Sequence, residues 1–283
     1  MSAYRFCRTD DIGLLVDSLN RCWAPHFPDE PLMTPAAFKR SIRDLQVWCS
    51  SCMVAFAGSD PIGVLIGAKR ASATLIHRIA VHPDHLRQGH GRHLLTSLGS
   101  KLAILGPPRI VTEVPESLGP ACGLFEASGY VQEGVLTDYV LKAEEIPASD
   151  VHGSAGRLII PVTVDDLTAN GLLEDAPPTS WARSAETLRA RKDDAAGLAI
   201  ASDERIEAYI LYLRDGEIVA LRSLIDDGGA RLRQLLSRLR ALGVGNFRFP
   251  KVHAAEISND VLQLLRFRSA GGYRRYTARA QAG

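Results

Sequence analysis

Ile79-Ala-Val-His-Pro-Asp-His-Leu-Arg-Gln-Gly-His-Gly-Arg-His-Leu-Leu95 is the stretch on which the reading of this chain turns. A strand ends at Val81-His82-Pro83, a polar turn follows, and Gly89 and Gly91 stand where a helix begins. The first amides of a helix have no internal partner, and the helix dipole favours an anion beside them. Glycines let the backbone approach a phosphate closely, and Arg87 and Arg92 add positive charge. A G-x-G alone says little; the order strand, V-x-P, basic turn, G-x-G, amphipathic helix says more. Leu94, Leu95, Leu98 and Leu102 recur at helical spacing, and Pro107-Pro108 ends that helix.

Working outward, residues 52–57, 62–68 and 73–81 read as three strands before the turn. Residues 110–114 read as a strand after it, 121–128 as a short helix, and 130–142 as two closing strands. Upstream, residues 4–8 alternate as a strand, and Thr9 and Asp10 offer N-cap oxygens to a helix faced by Ile12, Leu15, Val16, Leu19 and Trp23. A proline-rich loop spans 24–32, and Thr34-Pro35 starts a second helix. The order is strand, two helices, three strands, helix, strand, helix, strand.

The second half repeats this pattern. Ala55–Arg70 lies over Ala199–Arg214 without a gap, with Ala55/Ala199, Ala57/Ala201, Ile62/Ile206 and Arg70/Arg214 identical. Gly129-Tyr130 precedes Tyr139 by the interval at which Arg266-Phe267 precedes Tyr276. A duplicated domain explains both matches. The expected partition is residues 1–146, a linker at 147–156 without periodicity, and residues 157–283.

Residues 79–92 resemble the acyl-CoA turn of the GCN5-related N-acetyltransferases (GNAT), whose pattern is Q/R-x-x-G-x-G/A. The resemblance implies an α/β fold of two tandem GNAT folds, each a mixed central sheet flanked by helices, the C-terminal copy degenerate. It implies acetyl-CoA as co-substrate, with pyrophosphate on the turn Arg87, Gln88, Gly89, His90, Gly91 and Arg92. The pantetheine arm would pair with the backbone of Ile79, Ala80 and Val81. It also implies direct acetyl transfer to an amine on a small-molecule or peptide acceptor in a cleft between the halves.

This chain departs from the pattern at four places. Leu86 replaces the first Gln or Arg, and Leu75 stands where many relatives carry a Glu that acts as the base. His77, two residues on and so on the same strand face, is then the expected base. Phe125 replaces the Tyr that often protonates the leaving thiolate, and Leu118 replaces the usual Asn. The general acid is left unassigned. In the second half, Asp226-Asp227-Gly228-Gly229-Ala230 replaces the basic turn, so that half is expected to bind no CoA. The alternative to an enzyme is a non-catalytic acetyl-CoA-binding sensor or scaffold.

Other residues are weighed against plainer roles. Trp23, His26 and Phe27 either border the acceptor pocket or staple two helices. His82, His85, His90 and His93 have no Cys or carboxylate at metal spacing and read as a solvated turn, so no metal is expected. Cys49-Ser-Ser-Cys52 is half a zinc site at most, and Cys52 reads as packing. Glu113 and Glu116 read as surface, as do the arginines at 231, 233, 238 and 240.

Composition bounds the rest. Two domains fit 283 residues, and 46% hydrophobic with 23% charged residues is globular. With 33 basic and 32 acidic residues, a nucleic-acid backbone or an anionic membrane is not the expected partner. No apolar run approaches the ~20 residues of a membrane span. The five cysteines suit a reduced compartment, so the expectation is a cytoplasmic monomer or homodimer.

Overall fold

The computed structural model describes residues 2–146, 158–173 and 179–281. Two compact units form, one of Met1–Gly134 with Arg274–Gly283, the other of Val135–Tyr273. The partition read from the sequence cuts the chain once, at 147–156, a segment outside the described residues. The compact units instead cross at 134/135 and again at 273/274.

The first unit contains β1 (Ser2–Phe6), α1 (Ile12–Cys22), α2 (Pro35–Leu45), β2 (Met53–Ala57), β3 (Asp60–Lys69), β4 (Thr74–Val81), α3 (His90–Leu105), β5 (Arg109–Pro115) and α4 (Gly119–Ala127). Strands β1 to β4 pair antiparallel in sequence order, and β5 joins β4 in parallel. The sheet is therefore mixed. Leu94, Leu95, Leu98 and Leu102 of α3 are buried against Met53, Ile62, Leu65 and Ile76. Each such side chain contributes about 1.5–3 kcal/mol by leaving water. Thr34 caps α2 by accepting from the Ala37 amide at 3.1 Å, with Pro35 in the first turn. The cap of α1 is a correction: neither Thr9 nor Asp10 holds it. Asp11 sits there and spends its carboxylate on the Arg8 amide and the Arg5 guanidinium, at 2.7 and 2.8 Å.

Residues 130–142 do not form two strands. They form one twelve-residue strand, β6 (Val131–Lys142), which leaves the first unit midway. No proline interrupts it, and Gly134 stays extended, so nothing makes the chain turn back.

The second unit contains β7 (Leu158–Val162), α5 (Val164–Ala169), α6 (Ala185–Ala190), β8 (Ala195–Ala201), β9 (Ile206–Leu213), β10 (Ile218–Ser223), α7 (Ala230–Ala241), β11 (Asn246–His253), α8 (Asn259–Leu264) and the start of β12 (Arg268–Arg279). Four strands pair antiparallel in the order β10-β9-β8-β7. Strand β11 pairs with Leu136–Lys142 of β6. Leu232, Leu235, Leu236 and Leu239 of α7 pack into a core with Tyr139, Phe247 and Phe249.

Both sequence repeats are structural repeats. The β2–β3 and β8–β9 hairpins fall at equivalent places in the repeats, but Ala57 pairs with Asp60 while Ala201 pairs with Ile206, so the second turn is two residues longer and its register is shifted. Gly129 and Arg266 each take a positive φ, +81° and +70°, two residues before a twelve-residue strand. The two strands then change places. Tyr139 lies in the core of the second unit and Tyr276 in the core of the first. In the first unit the Thr277 hydroxyl donates to the Ile110 carbonyl at 3.2 Å, and the Ala280 amide to that of Pro108 at 2.6 Å, alongside β5.

Candidate active site

Strand β4 ends at Val81, and the His82 amide closes its ladder on the Ile62 carbonyl at 2.9 Å. Residues 83–85 make one tight helical turn. Arg87 and Gly89 then take left-handed backbones, at φ +62° and +86°, and α3 starts at His90. Among the described residues, no amide from Arg87 to Arg92 donates a hydrogen bond within the chain. A groove of about 620 Å³ runs from Val81 past Arg87, Gly89, Gly91 and Arg92 to Gly123 and Leu124 of α4.

The two glycines serve different ends. A Cβ on Gly89 would meet nothing within 4 Å, so its positive φ is what asks for glycine. A Cβ on Gly91 would lie 3.0 Å from Leu124 Cδ2, so close packing of α3 on α4 asks for the second glycine. What they leave is a turn of unpartnered amides between two guanidinium groups.

Of the expected cofactor residues, Val81, Arg87, Gly89, His90, Gly91 and Arg92 line the groove. Gln88 does not; its side chain folds back to donate to the Asp84 carbonyl at 3.3 Å. Ile79 and Ala80 do not either. The His82–Ile62 bond places Ala80 in the hydrogen-bonded register with Val64, so its backbone groups are spent on β3. Those of Ile79 and Val81 point away from β3. The α4 wall was missed, although Gly119, Gly123 and Ala127, four apart, are the sequence trace of a helix face without bulk.

The histidines are not simply a solvated turn. His90 is only 6% exposed, and its Nδ1 lies 2.6 Å from the Tyr4 hydroxyl. The Tyr4 ring lies 3.8 Å from that of His93, tilted by 37°, and His85 stands edge-on to His90 at 6.2 Å. Burial first, then the charges available to His85 and His93, push the His90 imidazole below its ordinary pKa. Among the described residues, no group of three or more His, Cys, Asp or Glu is arranged to hold a metal ion. All five cysteines are buried and unpaired, and burial pushes the Cys7 thiol up to about 12.

The other end of β4 corrects the argument for His77. Gly67 faces Ile76 and Ile66 faces Arg78, so His77 is the extra residue of a β-bulge. The bulge breaks the period of two. Leu75 faces Ala68 and Arg78 faces Ile66, which places Arg78 on the Leu75 face of the sheet. The bulge begins just past the last β4–β5 pair, Ile76 with Thr112, where those two strands stop pairing.

Trp23, His26 and Phe27 converge on this strand. His26 donates from Nε2 to the Val81 carbonyl at 2.8 Å. Trp23 stacks on Phe27 at 4.4 Å and donates from its indole to Glu30 at 3.0 Å. The Arg78 guanidinium lies 4.7 Å over the Trp23 ring and 3.5 Å from Glu30. Arg78 and Glu30 were not foreseen. Glu30 sits in a proline loop without periodicity, and Arg78 comes into register only through the bulge.

Phe125 is 1% exposed and packs between Tyr130 and Tyr276, with ring centroids at 5.2 and 6.1 Å. Leu118 occupies the cap of α4 and makes no side-chain cap bond. In the second unit the matching turn is filled from within. Asp227 accepts from the amides of Gly229 and Arg231, both at 3.0 Å, and from the Arg231 guanidinium at 2.6 Å. Arg231 also reaches Glu207 at 2.7 Å. The aspartate does more than repel an anion; it occupies an anion's place on the helix start.

A mixed sheet with a turn of free amides between β4 and α3 can seat an anionic ligand at the helix start. Residues 14–130 match the sequence profile described as the acetyltransferase (GNAT) family. Residues 14–130 thus form a GNAT-type acetyltransferase domain, of a family of acyl-CoA-dependent acyltransferases. A tandem GNAT protein from the clavulanic acid biosynthesis pathway superposes with a TM-score of 0.66 at 18% identity, covering 100% of each chain. A GCN5-related N-acetyltransferase from Sphaerobacter thermophilus gives 0.70 at 15%, covering 100% of this chain and 96% of that one. At such identities the likeness is one of fold, and it extends the tandem architecture over both halves. Among the described residues, no helix is long and apolar enough to cross a membrane.

Proposed function

We propose that the first unit binds acetyl-CoA and transfers its acetyl group directly to a primary amine of a small-molecule or peptide acceptor. The observation that carries this reading is the groove beside Arg87–Arg92, whose amides have no partner within the described chain. Pyrophosphate on those amides, with Arg87 and Arg92 beside it, would direct the pantetheine arm along the outward-facing backbone of Ile79 and the Val81 amide, the Val81 carbonyl being held by His26. The thioester would then lie where β4 and β5 stop pairing, beside the bulge at His77.

In the transfer, the amine lone pair attacks the thioester carbonyl carbon, the carbon–sulfur bond breaks, and CoA leaves as the thiolate. The ammonium must first lose a proton, and His77, directly or through water, is the proposed base. The ring pair Trp23 and Phe27, with Glu30 beside them, borders the acceptor. The thiolate takes its proton from water or from the acceptor, since Phe125 has no hydroxyl.

Release of free CoA thiol, measured against a panel of amines, tests this reading. Turnover with at least one amine, reduced about 10²-fold or more in His77→Ala, is the expected result. A second reading, an acetyl-CoA-binding protein without catalysis, is favoured by Leu75 and by the buried ring of Phe125. Tight acetyl-CoA binding without turnover on any amine would select it. No binding would sink both.

A further inference from the structure

We propose that His90, hydrogen-bonded to Tyr4, couples acyl-CoA binding to proton uptake, so that the turn holds its ligand more tightly as pH falls from about 8 towards 6. This rests on the acyl-CoA reading of the groove and concerns a side chain to which that reading gives no role.

His90 is the first residue of α3, so its amide belongs to the phosphate turn and its ring lines the groove. The ring is almost wholly enclosed. Tyr4 reaches it from β1, His85 from the turn and His93 from its own helix, while Arg87 and Arg92 flank it along the groove. Asp84, the acid within the turn, lies 3.7 Å from His82. The ring is thus surrounded by a phenol and by bases, with no carboxylate among those contacts.

Burial, and then the charges available to His85 and His93, keep the imidazole neutral to lower pH than usual. The pyrophosphate of CoA would bring negative charge to the amide of this same residue. An anion there favours the imidazolium, so binding draws a proton from solution, and by linkage a lower pH favours binding. Tyr4 suits both states. Its hydroxyl donates to Nδ1 when that nitrogen is bare and accepts from Nδ1–H when it is protonated. The contact that seats α3 against β1 is kept throughout.

The test is calorimetric titration of acetyl-CoA at about pH 6, 7 and 8, in pairs of buffers with different heats of ionisation. Dephospho-acetyl-CoA is run alongside, because a phosphate monoester protonates near pH ~6 and pulls the other way. The expected result is uptake of part of a proton near pH 7 and an affinity for the dephospho ligand that rises about threefold to tenfold from pH 8 to 6. His90→Gln should bind with most of that uptake and pH dependence gone. Should the variant fail to fold, an NMR titration of the wild-type His90 ring serves instead, and its midpoint should move up when acetyl-CoA is added. Binding without proton uptake would overturn this inference alone, as would uptake unchanged in His90→Gln or a midpoint that does not move. Absence of acetyl-CoA binding at every pH would overturn the reading of the turn, and this inference with it.

Discussion

At the scale of single residues, two glycines two positions apart answer to different forces, and substitutions separate them. Gly89→Ala puts a side chain into a left-handed backbone at about 1–2 kcal/mol, with open space around it. Gly91→Ala keeps an ordinary helical backbone but presses on Leu124, at about 1–3 kcal/mol of overpacking. Thermal denaturation should therefore show Gly91→Ala rescued by Leu124→Ala and Gly89→Ala not rescued. Equal behaviour of the two in that background would refute the distinction. The sequence displays G-x-G but not which glycine is conformational and which is steric. That difference depends on Leu124, 33 positions away on α4. Phe125 shows the opposite case: its missing hydroxyl is visible in the sequence, but its place between Tyr130 and Tyr276 needs a strand from the far end of the chain.

At the scale of elements, β4 was legible as a strand and illegible as a surface. Its β-branched run and the turn after it give the strand, but alternation assigns faces only while the register is unbroken. The bulge at His77 shifts the assignment by one and brings Arg78 to Trp23 and Glu30. Arg78 ties the Trp23–Glu30 loop to β4, so Arg78→Ala is expected to loosen the acceptor side alone. Steady-state kinetics should give an acceptor KM raised about tenfold and little change in acetyl-CoA affinity. An equal loss of acetyl-CoA affinity would show the loop belongs to the cofactor side. The start of α7 carries a pH prediction. Burial raises the Asp227 carboxyl, but bonds from Arg231 and Gly229 outweigh it and leave the pKa below its ordinary value. A lowered carboxyl stabilises fully above its unfolded value of ~3.9, and that stabilisation is lost as pH falls through the folded value. Asp227→Ala leaves Arg231 and two amides without this partner, at about 2–4 kcal/mol. Denaturant melts should show that loss at neutral pH, shrinking below pH ~4. A loss constant with pH would mean the carboxylate charge is not what holds the turn.

At the scale of the whole molecule, the duplication was legible, because the repeats align without gaps. The exchange of closing strands was not, because two repeats with identical local patterns leave either pairing open. The sequence places Tyr139 and Tyr276 at equivalent positions; only the long-range fold places Tyr276 in the unit that precedes it by more than a hundred residues. The consequence concerns folding. Every residue lining the groove lies between Val81 and Ala127, yet the core behind α3 and α4 is closed by Tyr276. The Tyr276 hydroxyl donates to Glu126 of α4 at 2.7 Å, its ring stacks on Phe125, and Thr277 and Ala280 bond alongside β5. A fragment of residues 1–156 would keep the whole phosphate turn and lose the strand that supports it. Tyr276→Ala in the full chain removes a fully buried ring, at about 3–5 kcal/mol. Acetyl-CoA binding should therefore be absent from the 1–156 fragment and restored, at least in part, by adding a peptide spanning residues 268–281. Hydrogen exchange in the full-length Tyr276→Ala protein should show lost protection in α4 and β5. A fragment that folds and binds acetyl-CoA unaided would show that the first repeat closes itself with its own strand, Tyr139 taking the place of Tyr276, and that the exchange is an alternative to that closure and not a condition of it.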